Sequence, residues 1–314
     1  MSLPPTSMER WDTILFVAYV SLLGVLSIYG LHRYALLFLY FRHYKRRKHA
    51  RPSMPTNLPS VTVQLPLYNE RYVARRVIEA AARMRYPRHL LRVQVLDDSV
   101  DDTCAIARDV VNELQSMGVR AEYRHREIRT GFKAGALAAG LDATPDELVA
   151  IFDSDFVPPA DFLEKTVPYF CDPAVGMVQT RWGYLNRDYS VLTRVQALLL
   201  DGHFMLEHTA RNYSGRFFNF NGTAGVFRTA AIRDAGGWQG DTLTEDLDLS
   251  YRTQMRGWKF VFLPHVECPS ELPVDILGFK NQQYRWTKGS IQVGRKLLPR
   301  IWRGRAPLRV KLEA

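Results

Sequence analysis

Read for its apolar and polar positions, the chain divides into an uncharged run, a proline-rich joint and a long alternating region. Thr13 to Leu31 carries no charged residue, and its length matches the ~20 residues that cross a bilayer's hydrocarbon core as a helix. Trp11 and Tyr29 stand near its ends, where amphipathic rings favour the headgroup layer. Tyr34 to Phe41 is apolar again, which extends the helix along the interface. Pro52, Pro55 and Pro59 then interrupt any periodicity and mark a linker. Beyond it, strand and helix patterns alternate. Strands are predicted over Val61–Leu67, Leu91–Leu96 and Leu148–Phe152. Helices are predicted over Glu70–Arg85, with Val73, Val77, Ala81 and Met84 on one face, and over Thr103–Met117 and Lys133–Leu141. This order implies an α/β domain with a doubly wound, mostly parallel sheet. The second half is less regular. It reads as a long helix over Arg187–His208, a glycine loop over Asn219–Gly225, a helix over Thr242–Gln254 and a strand over Gly257–Leu263. An amphipathic stretch follows over Pro273–Leu298, with Leu277, Tyr284 and Ile291 on one side.

Charge changes the picture at one place. The net charge is +10, and much of it sits in Arg42, Lys45, Arg46, Arg47, Lys48 and Arg51, with His43 and His49 among them. A basic protein invites a nucleic-acid reading. Here the block directly follows the apolar run, so it reads as the cytosolic flank of a membrane span, and no nucleic-acid partner is expected. A cleaved signal peptide would carry its basic residues before the apolar run, whereas this N-terminus holds Glu9, Arg10 and Asp12. The expected division is a tail over 1–12, a membrane and juxtamembrane helix over 13–41, a basic linker over 42–60, a catalytic domain over 61–290 and a basic amphipathic segment over 291–314. Cys104, Cys171 and Cys268 are far apart in the chain and predict neither a zinc site nor a disulfide framework.

The acids carry the candidate chemistry. Asp97 and Asp98 end the second strand, and Asp153 and Asp155 end the Leu148–Phe152 strand. Ligands of open α/β sheets bind at the carboxyl ends of strands, so the two pairs point to one shared site. No Gly-x-Gly-x-x-Gly and no Walker A loop is present, which disfavours a dinucleotide cofactor and excludes a P-loop NTPase. Asp153-Ser154-Asp155 offers hard oxygen ligands for Mg²⁺ or Mn²⁺, ions that usually share their shell with phosphate. Thr244-Glu245-Asp246 has two readings: Thr244 as the N-cap of a helix whose first turn favours acids, or Asp246 as a general base. Gln282, Arg285 and Trp286 share a helical face. There Arg285 suits a diphosphate and Trp286 a sugar ring; an ordinary amphipathic helix with a core tryptophan is the other reading.

Together, Asp-x-Asp, Thr-Glu-Asp and Gln-x-x-Arg-Trp resemble the processive family 2 glycosyltransferases, which include the cellulose, hyaluronan and mannan synthases. Further stretches resemble the plant cellulose-synthase-like A mannan synthases and their bacterial relatives. These are Pro66-Leu67-Tyr68-Asn69-Glu70, Val95-Leu96-Asp97-Asp98-Ser99, Lys133-Ala134-Gly135-Ala136-Leu137, Phe220-Asn221-Gly222-Thr223-Ala224-Gly225 and Gly236-Gly237-Trp238. The resemblance spans roughly Val61 to Gly289. It implies a GT-A-like sheet and an inverting transfer of a hexose from GDP-mannose or UDP-glucose to a growing β-linked polysaccharide. A non-processive transferase acting on a lipid acceptor is the alternative. It also implies that Tyr68, Glu70, Asp97, Asp98, Lys133, Asp153, Gln282 and Arg285 bind the nucleotide-sugar. Asp153 and Asp155 would hold the metal, Asn221, Gly222, Thr223 and Trp286 would border the acceptor, and Asp246 would be the base. Implied partners are the donor, the acceptor, membrane lipid and a channel-forming or homo-oligomeric partner. The implied location is a plasma or inner membrane, or the Golgi, with the catalytic domain in the cytosol. Synthases of this family continue into several membrane helices after Gln-x-x-Arg-Trp, and this sequence shows no second span before Ala314.

Overall fold

The computed structural model of the chain describes residues 7–43 and 52–313. The tail residues 1–6, the basic stretch from Lys45 to Arg51 and the side chain of Tyr29 lie outside the described residues.

Helix α1 runs over Ser7–Arg42. Within it Trp11–Arg42 is long and apolar enough to cross a membrane, with a mean hydropathy of 2.2 in its most apolar window and no burial there. Its 36 residues rise ~54 Å, well beyond the ~30 Å of a bilayer's hydrocarbon core. Among the described residues, its C-terminal part meets the rest of the chain, where Leu36 is buried and His32 and Arg33 pair with Glu313 and Glu207.

The domain that follows is built on β1 (Val61–Leu67), α2 (Ala74–Ala82), β2 (Leu91–Asp97), α3 (Thr103–Ser116), β3 (Ala121–His125), α4 (Phe132–Asp142) and β4 (Leu148–Ile151). β1 pairs in parallel with both β2 and β4, and β2 with β3. Their carboxyl ends therefore share one edge. All four residues of β4 are buried, as expected of a central strand covered on both faces. After α5 (Phe162–Thr166) and a 3₁₀ turn come β5 (Val175–Tyr184), α6 (Val191–Asp201), a π-helical turn over Gly202–His208 and α7 (Thr209–Tyr213). Next are β6 (Gly225–Arg228), α8 (Thr229–Asp234), α9 (Glu245–Met255), β7 (Lys259–Ser270), α10 (Ile276–Arg303) and α11 (Leu308–Lys311). The seven strands lie in the order β3-β2-β1-β4-β6-β5-β7, with β6 antiparallel to both neighbours. One antiparallel strand in a mostly parallel sheet is the mixed arrangement the sequence pattern implied.

Several bounds differ from the pattern. The helix expected from Glu70 starts at Ala74, because Asn69 takes a left-handed φ of 56° and the Glu70 carbonyl accepts from the amides of Val73 and Ala74 in a turn. Helix α6 starts at Val191 rather than Arg187, since Ser190 and Thr193 cap each other reciprocally. Asp275 caps α10 by accepting from the amides of Leu277 and Gly278. Helix α10 then passes without a break through the expected boundary at 290/291, because Val293, Leu297 and Ile301 pack against Leu247, Tyr251 and Met255. Strands β3, β5 and β6 carry no clear alternation in the sequence.

Candidate active site

At the carboxyl ends of β1 and β2 two loops are stapled together: the Asn69 amide donates to Ser99 Oγ at 2.8 Å, and the Val100 amide donates to Asn69 Oδ1 at 3.0 Å. Asp97 is fully buried and accepts from the Tyr123 hydroxyl at 2.6 Å and the Ser99 amide at 2.9 Å. Asp98 receives a bidentate pair from Arg126 at 2.7 and 2.6 Å. The Arg129 guanidinium lies 3.4 Å from the centroid of the Tyr68 ring. Both acids are therefore buried and held by neighbours as fixed acceptors at the carboxyl end of β2. Beside them Asp97, Cys104 and His125 bring their ligand atoms within 4.8 Å of one another, a juxtaposition that spacing in the chain gave no hint of.

A second group forms where β4 ends. Gly131 and Phe132 both adopt positive φ, 73° and 51°, and this double turn delivers Lys133 in the first turn of α4. Lys133 Nζ lies 2.5 Å from Asp153 Oδ1 and donates to the Gly222 carbonyl at 2.9 Å. The Asp153 amide donates to Thr223 Oγ1 at 2.9 Å. Burial opposes the Lys133 charge, yet Asp153, Glu245 and Asp246 outweigh it and hold the ammonium above its usual range. Burial first, and Asp153 second, push the Asp155 carboxyl up to about 7. Burial also raises Glu70, which bonds Ser154. Two hard carboxylates, one of them reluctant to ionise alone, fit a divalent cation.

Helix α9 brings the third group. Burial, then the charge of Glu245, push Asp246 up to about 7. A Cβ on Gly222, whose φ is 81°, would stand 2.9 Å from Asp246 Oδ2 and 3.4 Å from Lys133 Nζ. Glycine is needed there for the backbone angle and for the close approach alike. Thr244 occupies the N-cap position, but its side chain makes no capping hydrogen bond, which corrects the capping expectation. Its Cβ substituents instead meet Gly289 of α10, where an added Cβ would fall 2.5 Å from Thr244 Cγ2. The Thr-Glu-Asp turn is thus set directly on the helix that carries Gln282 and Trp286.

A cavity of about 560 Å³ opens beside Asp246, and Asn221, Gln282 and Trp286 also line it. The Trp286 and Trp182 rings lie 6.4 Å apart. Arg285 is exposed and does not line this cavity; its charge is felt by Glu245. The structure thus joins Lys133, Asp153, Gly222, Thr223 and Asp246 at one point. Asn221, Gln282 and Trp286 line the cavity beside it, and Tyr68, Asp97 and Asp98 lie apart from it at the carboxyl ends of β1 and β2. Sequence reasoning missed Tyr123, Arg126 and Arg129, and it missed Gln179. The Gln179 side chain is fully buried, accepts from the Asn221 amide at 3.0 Å and donates to the Thr223 carbonyl at 3.1 Å. A lone glutamine inside the apolar run of β5 was the available signal.

The mixed sheet, a lysine bridging to an Asp-x-Asp turn and a buried carboxyl over a cavity together match the GT-A type of fold. The chain belongs to the family described as glycosyltransferase-like family 2, whose model matches residues 59–289. It is 43% identical over 257 residues to glucomannan 4-beta-mannosyltransferase 2 of Arabidopsis thaliana, a match covering 80% of this chain and 48% of the relative. The chain thus spans about half the length of that relative. Among solved structures it is similar to the mannosyltransferase PcManGT of Pyrobaculum calidifontis in complex with GDP-Man and Mn²⁺. That match has a TM-score of 0.72 and 25% identity and covers 91% of this chain and 77% of the other. Residues 1–349 of S. aureus TarS in complex with UDP-GlcNAc share the fold, with a TM-score of 0.59 at 14% identity over 80% of this chain and 69% of that one.

Proposed function

We propose that the chain transfers mannose from GDP-mannose to the end of a β-linked polysaccharide at the cytosolic face of a membrane, with inversion at the anomeric carbon. The observation that carries this reading is the meeting of Lys133, Asp153 and Asp246 around the Gly222 backbone, with Asp246 also lining the Trp286 cavity. The donor's base and ribose bind beside Tyr68, Asp97 and Asp98, where the carboxyl ends of β1 and β2 meet. Its diphosphate reaches Lys133, with Gln282 and Arg285 on the far side. Asp153 and Asp155 would hold Mg²⁺ or Mn²⁺, which when bound neutralises charge growing on the leaving diphosphate. The acceptor's terminal sugar enters the cavity, its ring against Trp286 and its hydroxyl toward Asp246. Asp246 takes the hydroxyl proton as the new bond forms. A carboxyl titrating near neutrality is well matched to that task. One in-line displacement turns an α-linked donor into a β-linked product.

The mannosyl donor is favoured over UDP-glucose by the two mannosyltransferase likenesses. The membrane placement is favoured by α1 and by α10, whose Leu277, Tyr284 and Ile291 stay exposed along one face. Thermal-shift titration tests the donor. GDP-mannose with Mn²⁺ should raise the melting temperature more than UDP-glucose or UDP-GlcNAc, since a ligand at ~100 times its Kd adds ~2.7 kcal/mol. A larger shift with UDP-glucose would reassign the donor.

A further inference from the structure

The acceptor-side loop is held by a run of polar groups, His208 buried and the others partly exposed to the cavity, that the transfer chemistry does not itself use. Asn221 Nδ2 donates to His203 Nε2 at 2.9 Å, and Asn221 Oδ1 accepts from His208 Nε2 at 2.7 Å. His208 Nε2 also faces the Asn219 carbonyl at 3.0 Å, which places its proton on Nε2. Since His203 Nε2 is an acceptor, its proton is on Nδ1, which lies 3.2 Å from Glu207 Oε2. Glu207 in turn pairs with Arg33 of α1. Burial keeps both imidazoles well below their usual titration range, and Arg211 adds to this for each. Each member of the chain thus has one assigned proton arrangement, and the Asn221 amide has one orientation.

The placement is specific. His203, Glu207 and His208 come from the π-helical turn, an irregularity often found at functional sites. Arg33 stands just past Leu31, where the uncharged run of the membrane helix ends. Arg33, Glu207, His203 and Asn221 all line the cavity that contains Asp246. The next residues of the loop, Gly222 and Thr223, touch Lys133 and Asp153. A shift of α1 relative to the domain would therefore be felt through the Arg33–Glu207–His203–Asn221 contacts at the acceptor's edge of the site.

We infer that Arg33, Glu207 and His203 are positioning residues that orient Asn221 and its loop for the acceptor and tie that orientation to the seat of the membrane helix. This rests on the reading of the cavity as the acceptor site. The chain as it exists, in membranes, should be assayed with GDP-mannose and a β-mannan oligosaccharide. The readout is the ratio of sugar transferred to acceptor over sugar lost to water. His203→Leu removes the acceptor for Asn221, and the ratio should fall at least ~10-fold, as small misplacements at a reacting centre do. His203→Gln puts an oxygen near the Nε2 position and should recover most of the ratio. Arg33→Met, on the far end and on another element, should move the ratio in the same direction while donor KM holds. A purely structural role would lower transfer and hydrolysis together and leave the ratio flat. A flat ratio in both His203→Leu and Arg33→Met overturns the inference, and so does Gln behaving like Leu. If His203→Leu fails to fold, the Arg33→Met ratio decides alone. A wild-type chain that transfers nothing to the oligosaccharide would instead sink the acceptor reading.

Discussion

Asp246→Asn should lose transfer by at least the ~10² of a missing general base while still binding donor. The acceptor hydroxyl is too weak an acid to ionise at neutral pH, so its proton must leave as the glycosidic bond forms. Asparagine keeps the shape and the hydrogen bond from the Leu247 amide to Oδ1, which measures 2.8 Å, and removes only the basicity. The same substitution should stabilise the fold. Burial raises the Asp246 carboxyl from its ordinary value of 3.8 to about 7. A raised carboxyl contributes stability that is complete below the unfolded value near 4 and is lost as pH rises through about 7. At pH 8 the wild type holds a buried charge that the asparagine variant lacks, so the variant should melt higher there, by ~2–4 °C per kcal/mol gained. At pH 5 the gain should shrink. Full turnover in Asp246→Asn would place the base elsewhere, and a melting temperature that drops at pH 8 would contradict the raised carboxyl.

Asp155→Asn should abolish transfer just as thoroughly, with a loss of ~10² or more, and excess Mn²⁺ should restore little. Asp155 is the carboxyl that burial and Asp153 together push up to about 7. A divalent cation beside that carboxyl would favour its charged form at neutral pH. Chelation of the wild type should match the variant, and Mn²⁺ should restore the chelated wild type alone. Activity that survives chelation untouched would remove the metal from the mechanism.

The legible parts of this protein were those written locally. The strands at Val61–Leu67 and Leu91–Asp97 announce themselves by β-branched residues, and the acids that end β2 and β4 fall where the sheet opens. Strands β3 and β6 are short, and β5 holds Gly176 and the buried Gln179, so neither alternation nor a clean apolar run marked them. Acids four residues apart or fewer could not be told from one another in the Thr-Glu-Asp turn. Asp248 is buried against Arg252 at 2.7 Å and Lys296 at 2.9 Å and is part of the scaffold. Asp246 points instead at the Gly222 backbone. What separates them is the side of α9 that meets α10, and that depends on the Thr244–Gly289 contact across 45 residues of chain. Arg126 likewise reached Asp98 only once β3 was seated beside β2. The chain from Arg33 to Asn221 joins residues that only the packing of α1 on the π-helical turn brings together.

The most direct test of the central claim is the linkage of the product. Membranes carrying this chain should be given radiolabelled GDP-mannose, Mn²⁺ and a β-mannan oligosaccharide, and the labelled product digested with linkage-specific hydrolases. Label that enters the oligosaccharide and is released by β-mannanase but not by α-mannosidase is the predicted result. Label recovered only as free mannose, or in a product that α-mannosidase opens, would contradict an inverting β-mannosyl transfer governed by Asp246.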